Sequence, residues 1–502
     1  MHDLLLQLAQ TSAIEQYKWI LMALGLAFGF YMAWTIGAND VANAMGTSVG
    51  SGALTLKRAI IVAGILEFAG AVLVGQHVTG AIREDILPFE AFAATPDDYV
   101  FGMLASLLAA ATWLLVATYF GLPVSTTHTI VGAVVGFGIV VLPDWGFSTD
   151  PKQSIAWAKM GKIVASWLVS PALSGSIAFF VFIIIQRRIL YQRDLVTAAR
   201  KMAPYFVFAV FFVITLVTLW KGLKPLKMDF SFWQAIGLAS ILSVGASFAS
   251  IPLIRRIRVE RESEDDPSAQ NPMVSEELER LESRVRKLAV VATGDVQDGV
   301  ETLKKQIAKL KERVSDSASP RGSRWGTPEL RTVERIFVYL QILSACAVAF
   351  AHGANDVANA VGPLSGVIHV LQKGVVSATT QLDPLLGLGI LAVGGVGIVL
   401  GLATWGRRVI ETVGRKITEL TPTRGFSAEF GAAVTILLAS RFALPVSTTH
   451  TLVGAVLGVG LARGVSALNL RVIVDILISW VVTLPAGALL SIVFYYTLKA
   501  IF

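Results

Sequence analysis

The sequence predicts an all-α polytopic membrane protein, with about ten to twelve transmembrane helices in two inverted-topology repeats and with re-entrant or broken helices among them. Composition is the first reason: mean hydropathy is +0.66 and 54% of the 502 residues are hydrophobic, a balance written for lipid rather than for a soluble core. Duplication is the second. GANDVANA occupies Gly37–Ala44 and recurs letter for letter at Gly353–Ala360, and LPVSTTHT occupies Leu122–Thr129 and Leu444–Thr451 in the same order. The third is where the charge lies. Residues 255–331 hold 31 of the 77 charged side chains, 16 basic and 15 acidic, so the remaining chain is largely apolar.

Apolar runs of crossing length fall near 18–36, 59–80, 100–119, 160–186, 203–222, 231–254, 333–352, 384–405 and 471–498. Two more, 124–142 and 444–462, follow the STTH strings as spans or half-helices, and a shorter one at 428–441 precedes Leu444. These runs are continuous rather than alternating, so they are helices and not barrel strands. The N-terminus shows neither a basic leader region nor a cleavage site, and the first span is expected to insert and stay. The chain divides into a first membrane repeat with its connecting spans (18–254), a charged segment (255–331) and a second membrane repeat (332–502).

That segment begins with an acidic, Pro-containing linker, Glu264 to Pro272. Val274, Leu278, Leu281, Val285 and Leu288 then step by three and four, as do Val300, Leu303, Ile307, Leu310 and Val314: two amphipathic helices of coiled-coil type. They are expected to pack on each other or on a sister subunit, leaving a homo-oligomer open. Residues 315–328 are again linker. The nearly balanced charge argues against nucleic acid as a partner, and the net +7 fits basic cytoplasmic flanks instead. One cysteine, Cys346, excludes an intramolecular disulfide.

Basic clusters set the orientation. Arg187, Arg188, Arg193, Arg200 and Lys201 lie two spans before Arg255, Arg256, Arg258 and Arg261, and two further spans lead to Arg407, Arg408, Arg415 and Lys416; all are expected to be cytoplasmic, with 255–331. Lys57 and Arg58 follow the first GANDVANA, whereas 83–98 is acidic, with Glu84, Asp85, Glu90, Asp97 and Asp98 outweighing Arg83 for a net charge of −4. An external N-terminus, internal Lys57 and external Asp97 and Asp98 follow. The second copy must then be inverted, with Gln372 and Lys373 external, and the two motifs sit on opposite flanks of their spans.

The motifs carry chemistry. Proline followed by Ser and Thr starts a helix, and the small residues Gly132, Ala133, Gly136 and Gly138, matched by Gly454, Ala455, Gly458 and Gly460, make it pack closely. Ser125, Thr126, Thr127 and Ser447, Thr448, Thr449 therefore stand at half-helix N-termini within the membrane, where free N–H groups favour an anion; two such ends make a cradle for a tetrahedral oxyanion. Asp40 and Asp356, flanked by Asn39 and Asn43 and by Asn355 and Asn359, would repel that anion unless cations intervene. Carboxylate and amide oxygens, with unwound backbone carbonyls, form a hard-cation set suited to Na⁺ through Asp40, Asn43, Asp356 and Asn359. An anion and cations in one site is symporter chemistry.

GANDVANA in both halves, with GLPVSTTHT and ALPVSTTHT, resembles the inorganic phosphate transporter (PiT) family of secondary carriers, over both membrane halves and outside 255–331. The resemblance implies uptake of inorganic phosphate by alternating access, coupled to Na⁺ or, in some members, H⁺; the Asn-Asp-Val-Ala-Asn string in both halves is similar to the sodium-coupled branch. It also implies functional carboxylates at Glu67 and Glu429, neither of which has an acidic counterpart in the other copy. Some relatives of the family move sulfate, but phosphate can donate a proton to a carboxylate and sulfate cannot. An ion channel and a membrane sensor are the rivals from other classes. Nothing points to an enzyme or a cofactor: no nucleotide-binding loop, no His/Cys metal spacing and no nucleophile elbow around Ser125. His128 and His450 are expected to hydrogen-bond the packed hairpins, Asp475 to be interfacial, Trp167 and Trp480 to pack as scaffold, and Cys346 to lie in the core. The plasma (inner) membrane is the expected location.

Overall fold

The structure, a computed structural model, describes residues 13–76, 78–79, 86–222, 230–257, 259, 272–291, 295–316, 327–374, 376, 383–407, 409–410, 420–442, 444–464 and 470–502. Arg83, Glu84, Asp85, Arg258, Arg261, Arg408, Arg415, Lys416 and the linker positions 264–271 and 317–326 lie outside the described residues, as do the side chains of Val274, Val314 and Asp475.

The longer helices are α1 (Lys18–Ser51), α2 (Leu56–Val74), α3 (Pro96–Tyr119), α4 (Thr126–Val141), α5 (Trp157–Ile185), α6 (Leu195–Val217), α7 (Phe232–Arg255), α8 (Pro272–Val291), α9 (Asp295–Asp316), α10 (Pro328–Lys373), α11 (Pro384–Trp405), α12 (Pro422–Arg441), α13 (Thr448–Arg463) and α14 (Leu470–Ile501). Eight segments among the described residues are long and apolar enough to cross a bilayer; they belong to α1, α3, α5, α6, α7, α10, α11 and α14. With the shorter or less apolar α2, α4, α12 and α13, the membrane part has twelve of these longer helices among the described residues.

Helices α1–α5 and α10–α14 are the two copies, and they are inverted. Gly25 and Gly29 of α1 meet Val367 and Leu364 of α10, while at the other end Ser51 donates to Gln341 Oε1 at 2.7 Å, so α1 and α10 cross antiparallel. Each copy completes the other. Gly132 and Gly136 of α4 lie against the backbone of Leu484 and Ala488 in α14; Gly454 and Gly458 of α13 lie against Pro171 and Gly175 in α5. Absence of a Cβ is what permits these approaches. Gly37 and Gly353 do the same at the centre, where an added Cβ would collide with the Ile398 and Glu67 carbonyls respectively.

Two details differ from the sequence expectation. The first apolar runs do not end at GANDVANA: α1 continues through it to Ser51 and α10 to Lys373, so the motifs sit within continuous helices rather than on opposite flanks. Ala, Val, Asn and Asp do not themselves break a helix, and here the asparagine amides find partners in both repeats, Asn39 and Asn355 in their own and Asn43 and Asn359 in the opposite one. The motif carbonyls are accordingly committed to the helix and are not unwound ligands. Irregular backbone lies instead before α4 and α13, at 121–125 and 444–447, where proline interrupts the chain.

Between the copies, α6 and α7 pair with each other, and α6 packs on α10. Helices α8 and α9 form a hairpin that buries Leu278, Val285 and Ile307 and leaves Leu281, Leu288, Leu303 and Leu310 exposed. Arg280 Nη2 donates to the Arg463 carbonyl at 2.7 Å, tying the hairpin to the C-terminal end of α13.

Candidate functional site

Helix starts make the site. Ser125 Oγ accepts from the His128 N–H at 3.1 Å, and Ser447 Oγ from the His450 N–H at 3.1 Å. Each serine thus caps its half-helix, while the first-turn N–H groups of α4 and α13 keep no intrahelical partner. All six hydroxyl residues are buried, as are Asn39, Asp40, Asn43, Asn355, Asp356 and Asn359.

The outer asparagines hold the irregular segments of their own repeat. Asn39 Nδ2 donates to Thr118 Oγ1 (3.0 Å) and the Leu122 carbonyl (3.1 Å), and Asn39 Oδ1 accepts from Val124 N (3.3 Å). Asn355 stands at the equivalent place, its amide 3.1 Å from Ser440 Oγ. The inner asparagines instead reach across the pseudo-twofold. Asn43 Nδ2 donates to Asp40 Oδ1 (2.9 Å) and Thr449 Oγ1 (2.8 Å), and Asn359 Nδ2 to Thr126 and Thr127 Oγ1, both at 3.3 Å. Thr449 Oγ1 donates to the Val124 carbonyl (3.1 Å) and Thr127 Oγ1 to the Val446 carbonyl (3.2 Å), again crossing between halves. Thr448 Oγ1 donates to Asp356 Oδ2 at 2.7 Å. Both half-helix starts and both Asp/Asn pairs therefore converge on one buried point that neither half could form alone.

Sequence reasoning missed His352. Its Nε2 lies 3.1 Å from Asp356 Oδ2 and 3.7 Å from Asp40 Oδ2, and its Nδ1 lies 3.2 Å from Glu67 Oε1. Ligand atoms of Asp40, His352 and Asp356 all fall within 4.8 Å of one another, a cluster able to hold a cation. Asp40 Oδ2 accepts no hydrogen bond among the described residues, as expected of an oxygen left for such an ion. The signal was present in the sequence: His352 directly precedes the second GANDVANA, where the first copy has Ile36.

Glu429 is placed elsewhere, deep between α12, α1 and α10. Its Oε1 accepts from Thr47 and Ser48 (both 2.6 Å) and from Gln341 Nε2 (3.2 Å); its Oε2 accepts from Ser344 (2.6 Å). Gln341, Ser344, Thr47, Ser48 and Ser51 were also missed, although Thr47, Ser48 and Ser51 stand where the second copy has Pro363, Leu364 and Val367. The imidazoles of His128 and His450 lie in a row of ring contacts between two tryptophans: centroids run Trp167–His128 3.8 Å (tilted), His128–His450 4.2 Å (edge-to-face) and His450–Trp480 3.4 Å (stacked). The two tryptophans are scaffold.

A family model described as the phosphate transporter family matches residues 36–491, most of the chain and both copies of each motif. The chain belongs to that family. The transporter is 42% identical over 484 residues to a candidate phosphate permease of Chlamydia trachomatis, covering 96% of this chain and 100% of that one. It is also 42% identical over 469 residues to the chloroplastic inorganic phosphate transporter 2-1 of Arabidopsis thaliana, covering 93% of this chain and 70% of that protein. Among solved structures it is similar to a sodium-dependent phosphate transporter, with a TM-score of 0.75, 34% identity, and coverage of 96% of this chain and 100% of that chain. The transporter is thus a multi-pass membrane carrier and not an enzyme.

Proposed function

We propose that the transporter takes up inorganic phosphate together with Na⁺ by alternating access, in a plasma (inner) membrane, with its N-terminus outside and 255–331 in the cytoplasm. One observation carries this reading: two half-helix N-termini and two carboxylates from antiparallel helices meet at a single buried point. Backbone N–H groups and hydroxyls of Ser125–Thr127 and Ser447–Thr449 suit the phosphate oxygens. Asp40, Asn43, Asp356 and Asn359 suit the cation, with Asp40 Oδ2 the open acceptor. Asn39 and Asn355 contribute by fixing the segments that lead into each half-helix.

Charge logic couples the two cargoes. Carboxylates in a low-dielectric site repel an oxyanion, and each bound Na⁺ offsets one unit of that negative charge, so cation and phosphate favour one another's binding. The name of the solved structural relative supports Na⁺ as the partner. A second reading, proton coupling, draws on His352 between Asp40 and Asp356, since an imidazole can supply the same positive charge. Uptake of radiolabelled phosphate into proteoliposomes separates them. Accumulation driven by an inward Na⁺ gradient at equal pH is expected; accumulation only under a proton gradient would replace the sodium reading with the proton one, and equal uptake of sulfate would remove phosphate selectivity.

A further inference from the structure

A second recess shares no lining residue with the Asp40–His352–Asp356 cluster. A cavity of about 810 Å³, in the size range of small-molecule sites, opens between the α1–α2 turn, α6, α7 and the N-terminal part of α10. Its walls are chiefly apolar, with Leu253, Ile257 and Tyr339 among them. Three arginines line it: Arg58 from the first turn of α2, Arg256 at the C-terminal end of α7 and Arg335 near the start of α10. No carboxylate is among the described residues that line it. Leu253 and Tyr339 are 62% and 65% exposed, so the cavity communicates with the lipid-facing surface of membrane helices rather than with a closed core.

We propose that this cavity is a binding site for an anionic phospholipid, its headgroup phosphate among Arg58, Arg256 and Arg335 and an acyl chain along the apolar wall. The three arginines come from three separate elements, which positive-inside logic places on one side of the membrane. Positive flanks that merely set topology explain basic residues near helix ends, but not their convergence on one apolar recess. A basic pocket between membrane helices at that level has the composition that recognises acidic headgroups. Arginine adds planar, multidentate hydrogen bonding to phosphate oxygens. A free phosphate ion would meet the same guanidinium groups but leave the apolar wall uncovered, so a lipid is the better complement. Such a lipid would bridge α7, which lies outside the repeats, to the turn joining α1 and α2.

Native mass spectrometry of the purified full-length transporter, with equal amounts of phosphatidylglycerol and phosphatidylcholine, tests this. Retention of phosphatidylglycerol over phosphatidylcholine by about tenfold or more is expected, since each arginine near the surface is worth about fivefold. Triple Arg58→Gln, Arg256→Gln and Arg335→Gln replacement should bring the preference to within twofold. Triple replacement by Lys should keep most of it and guards against misfolding of the Gln variant, as do the three single Gln replacements, each expected to lose several-fold. A large excess of inorganic phosphate should leave phosphatidylglycerol bound. The inference is overturned if the wild type shows no preference, if the folded Gln variants keep it, or if inorganic phosphate displaces the lipid as effectively as added phosphatidylglycerol does, which would assign the arginines to a free anion.

Discussion

Asp40→Asn is the most direct perturbation of the proposed cation site, because it removes one charge with little change of shape. Asp40 Oδ1 already accepts from Asn43 Nδ2 at 2.9 Å, and the amide oxygen of an asparagine can keep that bond. What changes is Oδ2, the oxygen with no hydrogen-bond donor. A unit charge about 4 Å from a cation contributes about 4 kcal/mol at an effective dielectric near 20. The amide dipole and the remaining Asp356 recover part of this, leaving a net loss of about 2 kcal/mol, or about thirtyfold in Na⁺ affinity. The assay is phosphate uptake in proteoliposomes across a Na⁺ titration, paired with Na⁺-dependent thermal stabilisation of the detergent-purified protein. Half-saturating Na⁺ should rise by one to two orders of magnitude in both measurements, whereas unfolding without Na⁺ should shift little or upward, since a buried charge has gone. A variant whose Na⁺ dependence stays within twofold of wild type in both would refute the assignment of Asp40 as a cation ligand.

Three further outcomes follow from the packing and topology. Gly353→Ala should lower thermal stability by about 1–3 kcal/mol, because its Cβ meets the Glu67 carbonyl, whereas Gly161→Ala, with open space around it, should be neutral or stabilising in thermal unfolding. Glu429→Ala should destabilise more than Glu429→Gln, because alanine leaves Thr47, Ser48, Ser344 and Gln341 without their shared acceptor, at about 1–3 kcal/mol for each group that stays unpaired; equal melting temperatures for the two would contradict that network. Single cysteines at 57, 97 and 373, with Cys346 replaced, should label from outside with an impermeant maleimide at 97 and 373 but not at 57, and labelling at 57 together with 373 would contradict the antiparallel crossing of α1 and α10.

Legibility of the fold in the sequence followed the physics that writes it. Membrane helices are legible because a bilayer demands about 20 consecutive apolar residues, and inversion was legible because charge on short loops records which side they occupy. The antiparallel contacts Gly25–Val367 and Ser51–Gln341 agree with it. The convergence of STTH and GANDVANA followed from repetition, since polar groups repeated within a membrane need a common purpose. Helix ends were less legible. Asp and Asn inside an apolar run look like a boundary when their partners are unknown, and Asn43 finds its partner in Thr449, far along the chain. His352 and Gln341 were missed for a related reason: each occurs in one copy only, so a search for repeated strings passes over them.

Those singular residues make the two ends of the site chemically different, which the repeats alone would not. Superposing Ser125 on Ser447 and Asp40 on Asp356 puts Leu107 where Glu429 stands, and Gly25, Phe28, Pro363 and Leu364 where Gln341, Ser344, Thr47 and Ser48 stand. On one side of the carboxylates lies a network of hydroxyls and an amide around a buried glutamate; on the other, Gly25 and Gly29 pack against Val367 and Leu364. A perfectly symmetric pair of repeats would have two equivalent states, one open to each face, of equal energy. Replacing apolar packing by a polar network at one end removes that degeneracy, because separating Leu364 from Gly29 exposes apolar surface, whereas separating Thr47 and Ser48 from Glu429 exposes groups that water can satisfy. Opening at the Glu429 end is therefore the less costly of the two motions. That end also carries Ser51 and the α1–α2 turn, and hence Arg58, which positive-inside logic places in the cytoplasm. Under the proposed uptake, the asymmetry biases the empty carrier towards the releasing, cytoplasmic face.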